Sequence, residues 1–223
     1  MTYVLLILGV LLSFAFVYIV KPTNNTNFKL LLAFSGAFLL SLTIFELFPS
    51  VYEVSDSKTI GVYIMLGILL QIFLEFFSKG AEHGHMHIDT EKTNFPWLLF
   101  ISLSIHSLLE GFPIHQHDHL IYGILVHKIP IAIVLSIFLL NSRIKMVYAL
   151  FFMVLFSLMT PLGNYLAANF DFAITYYAPI TALVIGVFLH ISTIILFESS
   201  EGHKFNLRKL IVIMLGIIIA YLL

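Results

Sequence analysis

Long apolar stretches separated by short polar breaks run the length of the chain, and eight of them approach the roughly 20 residues that a helix needs to cross a bilayer core. They lie at about 3–20, 29–49, 60–79, 95–114, 121–140, 144–168, 174–197 and 206–223. The breaks, among them KPTNNTN, PSVYEVSDSK, NSR and NFD, are short and rich in turn formers or charge. No soluble domain fits between the stretches. The pattern predicts an all-α integral membrane protein with eight transmembrane helices in a single transmembrane domain, residues 1–223, and one longer loop at about 80–94.

Orientation follows from the basic residues, because cytoplasmic loops collect lysine and arginine. With the N-terminus outside, the inside loops hold nine: Lys21, Lys29, Lys79, Lys92, Arg143, Lys145, Lys204, Arg208 and Lys209. The outside loops hold only Lys58, and Lys128 falls within a stretch. This split predicts both termini outside and the loop at 80–94 in the cytoplasm. A missed or extra helix would scramble it. The first stretch follows MTY without a basic segment or a small-residue cleavage site, so it reads as a retained span.

Composition agrees with the pattern. Hydrophobic residues make up 60% of the 223 and charged ones 10%, against about a quarter charged in soluble domains; mean hydropathy is +1.03. The expected location is a cell or cytoplasmic membrane, crossed several times. A net charge of −1 leaves no basic surface for nucleic acid. With no cysteine, any metal chemistry must use imidazole, carboxylate, amide, hydroxyl or water.

Ionisable groups at membrane depth are expensive and usually face a bundle interior or a water-filled path, so they come first in a search for function. They are Glu46, Glu75, His106, Glu110, His127, Lys128, His190 and Glu198. His106 and Glu110 stand at i and i+4, one turn apart on one helical face, close enough to share a divalent cation. A hydrogen bond that only stabilises packing is the alternative for such a pair. The next stretch adds His127 in HKIPIA, where Pro130 removes a backbone donor and is expected to loosen the preceding turn. Three such ligands on adjacent antiparallel helices suit zinc or a neighbouring first-row metal.

The remaining polar residues keep two readings each. His83, His85 and His87 in the inside loop either bind metal loosely or belong to a solvated loop. His115, His117, Asp118 and His119, in the tight outside turn, either gather cations at the mouth of a path to Glu110 or simply keep the turn soluble. Glu46 and Glu75 end apolar runs and read as interfacial anchors. His190 reads as a hydrogen-bonded packing histidine, with an accessory metal role as the alternative.

HSLLEG followed in the next stretch by HKIPIA resembles the paired signatures HNxxEG and HExPEG of the ZIP (ZRT/IRT-like) divalent metal transporters. FSGAFLLSLTIFELFP is similar to that family's second helix, LGILLQIFLEFF with HGHMH to its third helix and histidine-rich loop, SLMTPLGNYLA to its sixth, and GVFLHISTIILFESSE to its seventh. The resemblance implies a ZIP-type bundle of eight helices with both ends outside, as the basic residues indicated. It also implies a comparison with the two-metal centre described for some members. The asparagine and three acids that contribute there are replaced here by Ser107, Lys128, Ile131 and Thr160. His106, Glu110 and His127 remain for a primary site, and a secondary site has lost nearly every ligand. An ammonium at Lys128 near Glu110 would stand in for a second divalent ion and repel another cation; the alternative is that Lys128 turns outward and snorkels to the interface.

The expected function is uptake of a divalent transition-metal cation through a mid-membrane His/Glu site holding one ion. Zinc heads the list, with iron, manganese, cobalt and cadmium accepted by the same ligand types. The metal is then a transported substrate and not a cofactor, and the partners are metal ions and lipid, with a homodimer left open. No Gly-rich Walker loop occurs, so no nucleotide is expected. An enzyme is not expected, although an intramembrane metal-dependent hydrolase and a transport-deficient metal sensor stand as alternatives.

Overall fold

With no water to satisfy backbone polar groups inside a bilayer, a lipid-facing chain must close its hydrogen bonds within each segment, and helices do this. In the computed structural model, which describes residues 2–22, 25–81, 94–117, 119–198 and 207–223, the chain is helical throughout its apolar stretches. The order is α1 (Thr2–Val20), α2 (Asn25–Leu42), a π-helical turn (Thr43–Leu47), α3 (Phe48–Val54), α4 (Ser57–Ser78), α5 (Trp97–Gly111), a 3-10 turn (Phe112–His115), α6 (Leu120–Asn141), α7 (Met146–Asn169), α8 (Asp171–Thr175), α9 (Tyr177–Glu198) and α10 (Leu207–Leu222). Among the described residues, seven segments are long and apolar enough to cross a membrane, the last being Tyr177–Phe197. The eighth stretch forms α10, a helix of 16 residues. Large apolar side chains such as Leu12, Phe76 and Phe197 point outward, as a lipid-facing surface requires.

Two boundaries differ from expectation. The second stretch does not end near Pro49 but continues to Val54. A proline ring collides with the carbonyl four residues back, here Phe45; the wide π turn over Thr43–Leu47 moves that carbonyl aside, and Pro49 falls in the first turn of α3, where its missing N–H is tolerated. Pro130 does not interrupt its helix: α6 runs unbroken through it, and the ring is buried. The seventh stretch divides into α8 and α9 around Tyr176. At the start of α4, the Asp56 side chain accepts from the Thr59 backbone N–H at 3.0 Å, a cap that holds its carboxyl below the usual carboxylate range.

The helices pack in two groups. α2, α4, α9 and α10 form one; α1, α5, α6 and α7 form the other, and the groups meet where α2 touches α6 and α4 touches α5. Two buried apolar clusters follow, one including Leu39, Leu42, Ile124 and Phe188, the other including Leu103, Leu135, Phe152 and Phe156. The closest approach in the second group is between α5 and α7. A Cβ on Gly163 would lie 1.9 Å from the Leu108 carbonyl oxygen, and one on Gly111 would lie 2.1 Å from that of Thr160. Backbone blocks both positions. Gly163→Ala therefore forces α5 and α7 apart, and a stability loss of about 1–3 kcal/mol is expected, read as a lower thermal unfolding midpoint in detergent; an unchanged midpoint contradicts the packing described.

Candidate metal centre

The second helical group brings six polar side chains to one level of the bundle. α5 contributes His106, Ser107 and Glu110, α6 contributes His127 and Lys128, and α7 contributes Thr160. All six residues are at most 2% exposed. Burying a carboxylate and an ammonium is costly unless each is paired and hydrogen-bonded, and the geometry meets that condition by dividing the Glu110 carboxylate between two tasks.

Its Oε2 faces Lys128, whose Nζ lies 2.9 Å away. The same ammonium donates to Ser107 Oγ and to Thr160 Oγ1, the latter at 2.7 Å. A lysine ammonium has three protons, and these three acceptors use them all. Thr160 in turn donates to the Ser107 carbonyl oxygen at 2.9 Å, and the Phe156 ring lies over Nζ at 4.7 Å to its centroid. Lys128 thus turns into the bundle, and the outward, snorkelling alternative is not the one adopted. Three of the four positions at which the resemblance replaces metal ligands, Ser107, Lys128 and Thr160, meet here around one ammonium. The fourth, Ile131, is buried with the apolar residues.

The other oxygen, Oε1, faces the histidines. His106 Nε2 lies 2.9 Å from it and His127 Nε2 lies 3.7 Å from it. Both ring nitrogens are buried, and neither makes an aligned hydrogen bond. One ligand atom from each of His106, Glu110 and His127 falls within 4.8 Å of the others. The His106 ring is oriented from behind: its Nδ1 lies 3.3 Å from Gln71 Oε1 on α4. With that carbonyl accepting from Nδ1–H, Nε2 keeps the lone pair that a metal ion would use. Metal-bound nitrogen and oxygen sit about 2.0 Å from zinc, so tetrahedral ligand atoms lie roughly 3.3 Å apart. The two separations found bracket that value, and small side-chain movements would accommodate an ion.

The remaining polar residues fall elsewhere. His190 Nε2 lies 2.7 Å from Glu75 Oε2, a contact that joins α9 to α4. His117 Nδ1 lies 4.0 Å from Glu46 Oε2 beside the π turn, and burial pushes the His117 imidazole pKa down, towards its neutral liganding form. His115 and His119 are exposed near it. His83, His85, His87 and Asp118 lie outside the described residues, as does the Glu198 side chain. Gln71 carries no ionisable group, so charge at membrane depth does not mark it in the sequence. An amide inside the run GILLQIFLEFF was the available signal.

A family model described as "ZIP Zinc transporter" matches residues 78–223, and this span contains Glu110 and the five residues named around it. The chain belongs to the ZIP zinc transporter family. A stretch of 93 residues is 33% identical to Zinc transporter ZIP1 of Danio rerio, covering 38% of this chain and 30% of that relative's length. ZIP membership and seven apolar spans make this a multi-pass integral membrane protein of a metal-transporting family. Gln71 and Glu75 precede the matched span.

Proposed function

We propose that this ZIP protein takes up a divalent transition-metal cation, zinc foremost, through a single-ion site formed by His106, Glu110 and His127. The observation that carries the reading is the convergence of one Glu110 carboxylate oxygen and two imidazole nitrogens, all buried and within 4.8 Å of one another. α10 supplies the eighth span, with both termini outside, and residues 1–223 act as one transporter domain. His115, His117, Asp118 and His119 gather cations at the outer mouth, where Glu46 adds a carboxylate near His117; His83, His85 and His87 receive them on the inner side. Lys128 is a tethered cation in the place of a second metal, fixing Glu110 in its charged form and orienting the free oxygen towards the histidines.

The test is zinc uptake into proteoliposomes by the native chain, His106→Ala and His127→Ala, each at equal reconstituted protein. Uptake is expected to fall at least about tenfold in each variant, because losing even a group that only hydrogen-bonds to a metal ligand weakens metal sites by about 10–100-fold. Equal uptake in all three removes the assignment. Ligation requires neutral imidazole and ionised carboxylate, so protons compete with metal. The zinc dissociation constant of the purified protein is therefore expected to rise as pH falls from neutral to mildly acid; a flat titration contradicts the ligand set.

A further inference from the structure

α1 and α6 lie side by side and run in the same direction. A Cβ on Gly9 would lie 2.6 Å from Leu125 Cδ1, and later on both helices Val17 and Ile137 line one cavity of about 440 Å³. The spans Tyr3–Val20 and Leu120–Asn141 therefore end at the same membrane face, and the cavity lies between their ends. Val17, Ile137, Leu140 and Pro22 form its apolar wall. Tyr18, Lys21 and Asn141 add a phenol, an ammonium and an amide, and all three residues are exposed. The volume is within the range of small-ligand sites, and on the adjoining surface of α1 Phe16, Ile19 and Val20 are exposed to lipid.

The backbone at Lys21 is unusual. Its φ is 48°, a left-handed conformation that crowds any residue with a Cβ, and a residue before proline is normally extended. The Lys21 N–H donates to the Val17 carbonyl oxygen at 3.0 Å and closes α1, a position where glycine is the usual choice. The turn made here sets both Lys21 and Pro22 on the cavity wall. Backbone held in such a region collects at ligand clamps, and a lysine in place of glycine adds a charge at the cavity.

We infer that this cavity holds the headgroup of a phosphatidylethanolamine molecule from the adjoining leaflet. Lys21 is the only charged residue on the wall among the described residues, and no carboxylate competes for it; it pairs with the phosphate in a charge-assisted hydrogen bond, with the Tyr18 hydroxyl in reach. Two helix C-termini end beside it, and their last carbonyls carry partial negative charge. A simple anion would be repelled there. The ethanolamine ammonium answers that charge and donates to those carbonyls and to the Asn141 side-chain oxygen. A choline headgroup has no N–H to donate, and a glycerol headgroup has no positive charge. The acyl chains leave along Phe16, Ile19 and Val20. None of the residues of the metal centre is used, yet the bound lipid bridges α1 to α6, the helix that carries His127 and Lys128.

The probe is palmitoyl-oleoyl phosphatidylethanolamine, added to the delipidated full chain in detergent and compared with phosphatidylcholine and phosphatidylglycerol bearing the same chains. Native mass spectrometry counts bound lipid, and thermal unfolding reads the stabilisation. The native protein is expected to retain one phosphatidylethanolamine, about tenfold more tightly than either other lipid, as loss of a hydrogen bond to a charged group implies. Lys21→Gly removes the ammonium and suits the left-handed backbone, so without lipid it is expected to unfold no lower than the native chain while losing the preference. Lys21→Arg is expected to keep it. Equal binding of the three lipids, or a preference intact in Lys21→Gly, overturns the inference. Tighter binding of phosphatidylglycerol overturns the ethanolamine assignment, and equally tight binding of soluble phosphoethanolamine overturns the lipid. A native dimer that retains no lipid, its cavity covered by the second copy, overturns both.

Discussion

Glu110→Gln is expected to abolish metal uptake and to destabilise the protein, and the two losses have separable causes. Uptake fails because Oε1 is the only anionic group among the three that converge, and an amide oxygen leaves a divalent ion without charge compensation among buried side chains. Stability falls because Oε2 is the carboxylate partner of a buried ammonium. Removing one member of a buried ion pair costs about 3–5 kcal/mol, since the other charge remains desolvated. The hydroxyls of Ser107 and Thr160 still accept from Lys128, so the lower end of that range is the better expectation. The measurements are zinc uptake in proteoliposomes and thermal unfolding in detergent. A second variant separates the causes: Glu110→Gln with Lys128→Met removes the stranded charge along with its partner, so it is expected to regain stability without regaining uptake. Native-level uptake in either variant would exclude Glu110 as a ligand.

The sequence made some of this arrangement legible and hid the rest for physical reasons. The i, i+4 spacing of His106 and Glu110 fixes their common face whatever surrounds them, and the short turn to the next helix brings His127 alongside, so the convergence of these three side chains was legible in the sequence. Helix ends were less readable. Pro49 looks like a terminator on its own, and the π turn that accommodates it has no distinct composition in TIFEL. Partner choice across helices was not readable at all. The sequence left the direction of Lys128 open because a long side chain can turn either way from the same Cα; the hydroxyls of Ser107 and Thr160, 53 residues apart, decide it. Gln71 and the Glu75–His190 pair depend on how α4 docks against α5 and α9, which no local pattern encodes.

Lys128 variants test whether a side chain can occupy the place of a metal ion. In Lys128→Ala the carboxylate loses its charge partner and the donor that fixes Oε2, while Ser107 and Thr160 keep their mutual hydrogen bond. Glu110 is then free to turn, and zinc uptake is expected to drop about tenfold, in the range seen when outer-shell partners of metal ligands are removed. Lys128→Asp goes further. It places a second carboxylate beside Glu110, with the hydroxyls of Ser107 and Thr160 in reach, and two like charges in one buried site cannot both persist without a counter-ion. A divalent cation supplies it, so metal bound per purified chain at saturating zinc is expected to rise from one at this centre to two. Metal analysis after equilibrium dialysis reads the count, with the His106→Ala variant of each form subtracting ions bound elsewhere. Unchanged uptake and unchanged stoichiometry in Lys128→Ala would leave the tethered-cation account without support. A count of one in Lys128→Asp, in a protein that still melts cooperatively, would show that the ammonium neutralises Glu110 without standing in an ion site. Its charge would then matter and its position would not.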